Sequence, residues 1–216
     1  MPMQNESPTL PTDRPLRLGS LVSGGGTTVK NLAEVIAAGQ LDAQIVAVVC
    51  SNEKAKTQVA GKVAGLPTHL VSRKAHTREG VFDIDAFSDA IFDHLRKARV
   101  DLVILAGFLS KLRIPDDFAG RLINIHPSLL PKFGGQGMHG RHVHEAVIAA
   151  GETTSGCTVH YADQTYDTGP IILQKSCAVL PGDTPETLAA RVFELEKQAY
   201  PEAIRGLIQA PRPSSQ

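Results

Sequence analysis

The chain has 216 residues, 42% of them hydrophobic, and its 22 Lys and Arg residues balance its 22 Asp and Glu residues. A chain of this length buries most of the apolar surface that its unfolded form exposes, so one folded domain is expected. Balanced charge excludes the basic footprint of a protein that lives on nucleic acid or anionic lipid, and no apolar run approaches the roughly 20 residues needed to cross a bilayer, which leaves small molecules as partners.

Residues 1–15 are rich in Pro, Ser and Thr and predict a disordered leader, residues 209–216 a flexible tail, and residues 16–208 a single domain. That domain opens with a strand near Leu16 to Val22, a helix from about Thr28 to Ala38 closed by Gly39, and a β-rich run over Gln44 to Cys50. A helix near Lys56 to Ala64 stops at Gly65 before Pro67, and a short strand follows at Thr68 to Val71. Ile84, Phe87, Ile91 and Leu95 then share one face of a longer amphipathic helix, and Asp101 to Ala106 reads as a buried strand. Beyond the run LINIHPSLLP at 122 to 131 come a helix near His144 to Ala150 and strands near Cys157 to Tyr161 and Ile171 to Val179. A last helix runs from Pro185 to about Ile208, capped by Asp183 or Thr184, with Leu188, Val192 and Leu195 as its stripe. Near-continuous apolar strands alternating with helices predict an α/β, Rossmann-like domain whose mostly parallel central sheet is covered on both faces. Cys50, Cys157 and Cys177 are odd in number and lack C-x-x-C spacing, which predicts free thiols and a reducing, cytoplasmic setting.

Three stretches carry chemistry. SGGGTT at 23 to 28 follows the first strand and opens a helix, so glycines, free backbone N–H groups and hydroxyls converge where an anion, most often phosphate, is favoured. Neither the dinucleotide fingerprint nor a P-loop is present, because Val29 stands three residues after Gly26 and no Gly-Lys-Ser/Thr follows. In the second stretch, strand alternation sends Asn124 and His126 to the same face, and Pro127 ends the ladder just beyond them. A strand histidine by itself reads more readily as structural. In the third, HYADQTYDTGP at 160 to 170, a turn at Thr168, Gly169 and Pro170 leaves Asp167 free to face the same end of the sheet, though it serves equally as a turn former. A carboxylate beside an imidazole favours the protonated ring, and an adjacent amide can donate to an oxygen that gains negative charge.

LAGFLSKL at 105 to 112, INIHPSLLPKF at 123 to 133, SGCTVHYADQTYDTGPIILQ at 155 to 174 and the glycine loop together resemble the folate-dependent formyltransferases, over about residues 16 to 208. Within that group the glycine loop is similar to that of the glycinamide ribonucleotide formyltransferases. The resemblance implies transfer of a formyl group from 10-formyltetrahydrofolate, a cosubstrate, to the amine of glycinamide ribonucleotide in purine biosynthesis, without a metal, by a monomer or homodimer. It also implies the roles of single residues. Asn124 would hold the formyl oxygen, His126 would transfer the proton, and Asp167 would orient His126 and raise its pKa. Gly26, Thr27 and Thr28 would contact the substrate phosphate and Glu196 the ribose. Arg78, Leu109, Ser110, Lys111, Leu112, Asn124 and the loop Asp163, Gln164, Thr165, Tyr166 and Asp167 would contact the folate, and Leu130-Pro131 matches a cis peptide of relatives.

The chain departs from the family after LLPKF, where GGQGMHGRHVHEAVIAAG replaces a shorter Tyr-Pro-Gly connection. His139, His142 and His144 in that segment suggest zinc only weakly, since beyond Glu145 no further ligand is evident. Phe193 and Leu195 stand where some relatives carry Gln near the phosphate. Formyltetrahydrofolate hydrolase is expected to carry an additional amino-terminal domain and methionyl-tRNA formyltransferase an additional carboxyl-terminal one. A non-catalytic phosphometabolite-binding module would use the glycine loop while Asn124 and His126 serve the fold.

Overall fold

A computed structural model describes residues 10–209 of the chain. The described residues form two compact units, residues 10–122 with 205–209, and residues 123–204. The first unit runs β1 (Leu16–Val22), α1 (Thr27–Ala37), β2 (Ala43–Cys50), α2 (Glu53–Lys62) and β3 (Thr68–Leu70). A 3-10 turn at Arg73–His76 and a hairpin of β4 (Thr77–Arg78) and β5 (Val81–Phe82) lead into α3 (Ile84–Lys97) and β6 (Leu102–Leu105). The main strands lie in the order β3-β2-β1-β6, and every neighbouring pair among them is parallel.

Side-chain pattern accounts for this layering. Leu18, Leu21 and Val22 on β1 and Val48, Val49 and Cys50 on β2 have no exposed surface, as strands covered on both faces require. Phe87, Ile91, Phe92 and Leu95 form the buried stripe of α3. At Gly19 an added Cβ would lie 2.7 Å from Leu95 Cδ2 and 2.9 Å from Val100, so α3 sits close to β1 only because that position lacks a side chain. Asn52 and Asp83 accept from the Ala55 and Ala86 N–H groups, and these caps set the starts of α2 and α3. Part of the expected leader is placed: Leu10 is buried, and Arg14 makes paired contacts of 2.6 and 2.8 Å with Asp101. Residues 1–9 and 210–216 lie outside the described residues.

The second unit is built from β7 (Leu122–His126), which begins at its boundary, then α4 (Arg141–Ala149), β8 (Thr154–Tyr161), β9 (Ile171–Ala178) and α5 (Pro185–Gln209). Here β7 pairs antiparallel with β8, and β8 antiparallel with β9. Tyr200 anchors α5 by donating its hydroxyl to the Ile123 carbonyl at 2.9 Å. Thr184 caps α5 by accepting from the Thr187 N–H at 3.3 Å, while Asp183 turns its carboxylate to Arg191 and the Leu180 N–H. With parallel strands in the majority and helices on both sides, the fold is α/β and Rossmann-like.

Every expected strand and helix occurs; β1 has the expected bounds, β9 and α5 the expected starts, and most other ends are shifted. The β4–β5 hairpin and the 3-10 turns were not expected, being too short to show periodicity. Helix α2 starts three residues before Lys56 because Asn52 rather than a later residue caps it.

Candidate active site

Antiparallel pairing of β7 with β8 sets Asn124 opposite His160 and His126 opposite Thr158. Directly paired residues share a sheet face, so two polar side chains of β7 meet two of β8. Asp167 closes the group from the loop after β8. It adopts a left-handed conformation, φ 58°, which a short polar side chain tolerates better than most. Its Oδ2 lies 3.4 Å from His126 Nδ1 and accepts from the Gly135 N–H at 2.9 Å, and its Oδ1 lies 3.4 Å from Asn124 Nδ2 and 3.5 Å from His160 Nε2. The three residues expected to meet are therefore in one cluster, and His160 is a fourth member that the sequence did not single out. Its only signal there was that it follows the same alternation along β8 as Thr158.

Hydrogen-bond roles follow from the partners. His160 Nδ1 faces the Tyr161 carbonyl at 2.8 Å and so carries a proton, and its Nε2 lies between Asn124 Nδ2 at 3.2 Å and Asp167 Oδ1 at 3.5 Å. The Asn124 amide donates toward Asp167 over a long distance. His126 Nε2 faces the Phe133 carbonyl at 2.8 Å and must donate, so Nδ1, beside Asp167, is the nitrogen that is free to gain or lose a proton.

His126 is 3% exposed. Burial pushes its imidazole below the ordinary value, Asp167 and the Phe133 carbonyl oppose that, and His160 adds to it. The expectation that Asp167 raises the His126 pKa is correct for that one contact, but the net direction is downward because desolvation outweighs it. Burial also pushes Asp167 upward, yet His160, His126 and the Gly135 N–H together hold its carboxyl below the ordinary value. Behind the cluster, Thr158 Oγ1 donates to the Ser128 carbonyl and accepts from the Leu130 N–H and Gln174 Nε2. Leu130-Pro131 is cis, as the resemblance implied.

The second unit also holds Glu196 on α5, where burial pushes the carboxyl up to about 7. No hydrogen bond or ion pair engages it among the described residues. Asp163 organises the loop before Asp167 by accepting from the Thr165 N–H and the Thr168 hydroxyl, and Tyr166 is exposed. The three histidines of the inserted segment separate: the His139 and His142 rings meet edge to face, 5.9 Å apart, whereas His144 is buried. No group of three or more metal-ligating side chains is gathered among the described residues.

The glycine loop lies in the first unit. Gly26 precedes α1 with φ 71°, and no side chain caps the helix, so its first N–H groups point out unpartnered by a cap. An added Cβ at Gly26 would lie 2.6 Å from Val59 Cγ2, so α2 packs directly on the loop. This brings Lys62 Nζ to 3.2 Å from the Thr27 hydroxyl. Lys62 is a cation at this helix start that sequence spacing did not reveal, because it comes from the next helix. Ser23 Oγ accepts from the Leu109 N–H at 3.0 Å and ties the expected folate-side segment Leu109 to Leu112 to the same loop. Leu109 is exposed and Leu112 buried, and Arg78 is exposed on the β4–β5 hairpin.

A Rossmann-like α/β protein with an amide and two imidazoles on the paired strands β7 and β8, joined by a carboxylate from the following loop, is the class that fold and site define. The sequence profile of the formyl transferase family matches residues 16–204, and the chain belongs to that family. It is 35% identical over 191 residues to a phosphoribosylglycinamide formyltransferase of Haemophilus influenzae, covering 88% of this chain and 85% of that one. It is 40% identical over 192 residues to the trifunctional purine biosynthetic protein adenosine-3 of Drosophila pseudoobscura, covering 87% of this chain but only 13% of that longer protein. A crystal structure of phosphoribosylglycinamide formyltransferase from Brucella melitensis superposes with a TM-score of 0.79 at 35% identity, covering 94% of this chain and all of that one.

Proposed function

We propose that this chain transfers a formyl group from 10-formyltetrahydrofolate to the amine of glycinamide ribonucleotide, a step of purine biosynthesis. The observation that carries this reading is the contact of both Asn124 and His126 with one carboxylate, Asp167. The substrate amine attacks the formyl carbon as the neutral base. The tetrahedral intermediate then carries negative charge on oxygen and a surplus proton on nitrogen, and collapse breaks the bond to the folate nitrogen. Asn124 Nδ2 exchanges one of its long contacts for the formyl oxygen, a stronger acceptor once charge develops there. His126 Nδ1 takes up the proton and releases it toward the leaving nitrogen, with Asp167 stabilising the transient imidazolium. Neither a covalent intermediate nor a metal is needed, since orientation of two held substrates supplies much of the acceleration.

Gly26, Thr27 and Thr28 take the phosphate in this reading, Glu196 the ribose hydroxyls, and Arg78, Leu109 to Leu112 and Asp163 to Asp167 the folate. The free thiols Cys50, Cys157 and Cys177 favour a cytoplasmic setting. Purified protein incubated with 10-formyltetrahydrofolate tests the reading directly. Formyl-group loss from the folate is expected only when glycinamide ribonucleotide is present, with formylated ribonucleotide as product. Ribonucleotide-independent loss of formate would instead identify a hydrolase, and binding without turnover a non-catalytic module.

A further inference from the structure

Ser23 directly follows β1 and opens the glycine loop. Its N–H donates to the Gly107 carbonyl at 3.2 Å, and its Oγ accepts from the Leu109 N–H at 3.0 Å, so one residue grips the segment after β6 at two points. Two further bonds come from the end of β2. The Ser51 hydroxyl donates to Ser23 Oγ at 2.8 Å, and Asn52 Nδ2 donates to the Ser23 carbonyl at 3.1 Å. A hydroxyl oxygen offers two lone pairs, and here Leu109 and Ser51 take both. The ends of three adjacent strands, β2, β1 and β6, thus fix the Ser23 oxygen as an acceptor.

The gripped segment depends on such outside support. Residues 106–115 lie outside any helix or strand, and Leu109 is 54% exposed. Backbone of this kind is held by groups from neighbouring elements. At its near end the group is Ser23. At its far end the Arg113 N–H donates at 2.9 Å to Oγ of Ser88, a fully buried residue of α3. The two serines accept from the same segment in the same way, but Ser23 also belongs to the glycine loop.

We propose that Ser23 is a positioning residue that makes occupancy of the glycine loop and order in Leu109 to Leu112 interdependent, so that ribonucleotide and folate each bind more tightly when the other is present. The inference rests on the proposed function, which assigns the loop to the ribonucleotide phosphate and the segment to the folate. An anion held by Gly26, Thr27 and Thr28 removes freedom from residues 23–28, and Ser23 then presents Leu109 with a stationary acceptor. The first ligand to bind meets the ordering cost, and the second binds to a segment already ordered; the effect is reciprocal by thermodynamic necessity. Ser88 lies on α3, outside the loop, so it supports the segment without coupling it.

The probes are inorganic phosphate, glycinamide ribonucleotide and tetrahydrofolate, which has no formyl group to transfer. Phosphate is titrated into isotope-labelled protein while NMR follows the amide signals of Gly26 to Thr28 and of Leu109 to Leu112. Both sets are expected to move along one saturation curve in wild type, and the first set alone in Ser23→Ala. Movement of Gly26 to Thr28 with Leu109 unmoved overturns the coupling but leaves the phosphate assignment standing, whereas no movement of either set overturns both. In calorimetry, saturating tetrahydrofolate should tighten glycinamide ribonucleotide about fivefold in wild type, the worth of one hydrogen bond, and leave its affinity unchanged in Ser23→Ala. Ser88→Ala should weaken tetrahydrofolate and keep the fivefold ratio. If Ser23 were merely structural, Ser23→Ala would weaken both ligands and keep the ratio, and that result overturns the proposal. Ser23→Cys, which nearly keeps the shape but accepts weakly, should also lower the ratio and serves if Ser23→Ala does not fold.

Discussion

His126 is held between two acceptors in a buried position, and the two effects oppose each other. The Phe133 carbonyl and Asp167 favour a doubly protonated ring, whereas burial favours the neutral one and prevails. A ring poised in this way can accept a proton briefly and return it, which is the task formyl transfer sets. An NMR titration should therefore place the His126 midpoint below the ordinary imidazole value of 6.5, and Asp167→Asn should lower it further by removing the opposing charge. Asn124→Ala and His126→Ala should each reduce kcat about 100-fold or more, with circular dichroism unchanged, as expected for the loss of an oxyanion donor or a proton carrier. Near-normal turnover in either variant would remove that residue from the mechanism. The alternation along 122–126 placed these two side chains on one face. It gave no sign of His160, whose role depends on the register between β7 and β8, and register is set by pairing rather than by local sequence.

At the scale of elements, helix α2 has a double use. Its Val59 packs on Gly26, and Lys62, three residues later, reaches Thr27 at the start of α1. The open N–H groups of α1 and a nearby ammonium suit a phosphate, so under the proposed reaction Lys62→Met should raise KM for glycinamide ribonucleotide about tenfold, the usual worth of one charge-assisted hydrogen bond. The kcat should be unaffected, and the effect should shrink at high salt. An unchanged KM would show that Lys62 serves only to hold Thr27. The same packing explains the glycine. Gly26→Ala combines a Cβ at 2.6 Å from Val59 with a left-handed φ, and it should destabilise the protein by about 1–3 kcal/mol in denaturant unfolding. Helix boundaries were legible from the sequence to within a residue at Gly39 and Thr184, whereas α2 ends at Lys62, short of Gly65. They were misplaced where the cap lay outside the apolar run, as at Asn52.

For the whole molecule, buried titratable groups tie folding to pH in opposite directions. Glu196, raised to about 7, is protonated in the folded chain over a range where the unfolded chain ionises it. Stability from this group is complete below the unfolded value and is lost as pH rises toward about 7. His126 and His144 are lowered, so their unfolded forms bind protons that the folded chain resists, and stability falls as pH drops through 6.5. Thermal unfolding should accordingly show Glu196→Gln more stable than wild type at pH 8 and little changed at pH 4, and a Tm difference independent of pH would contradict this. Composition, apolar periodicity and glycine placement determined by themselves the α/β class, the strand and helix sequence, and the position of Asn124 and His126 at a strand end, because these depend on local spacing. Tertiary structure decided which groups meet: Asp167 with His126, His160 with Asn124, and Lys62 with Thr27. It also decided that burial outweighs the carboxylate in setting the charge of His126, because desolvation and Coulomb interactions act through space and leave no trace in the order of residues.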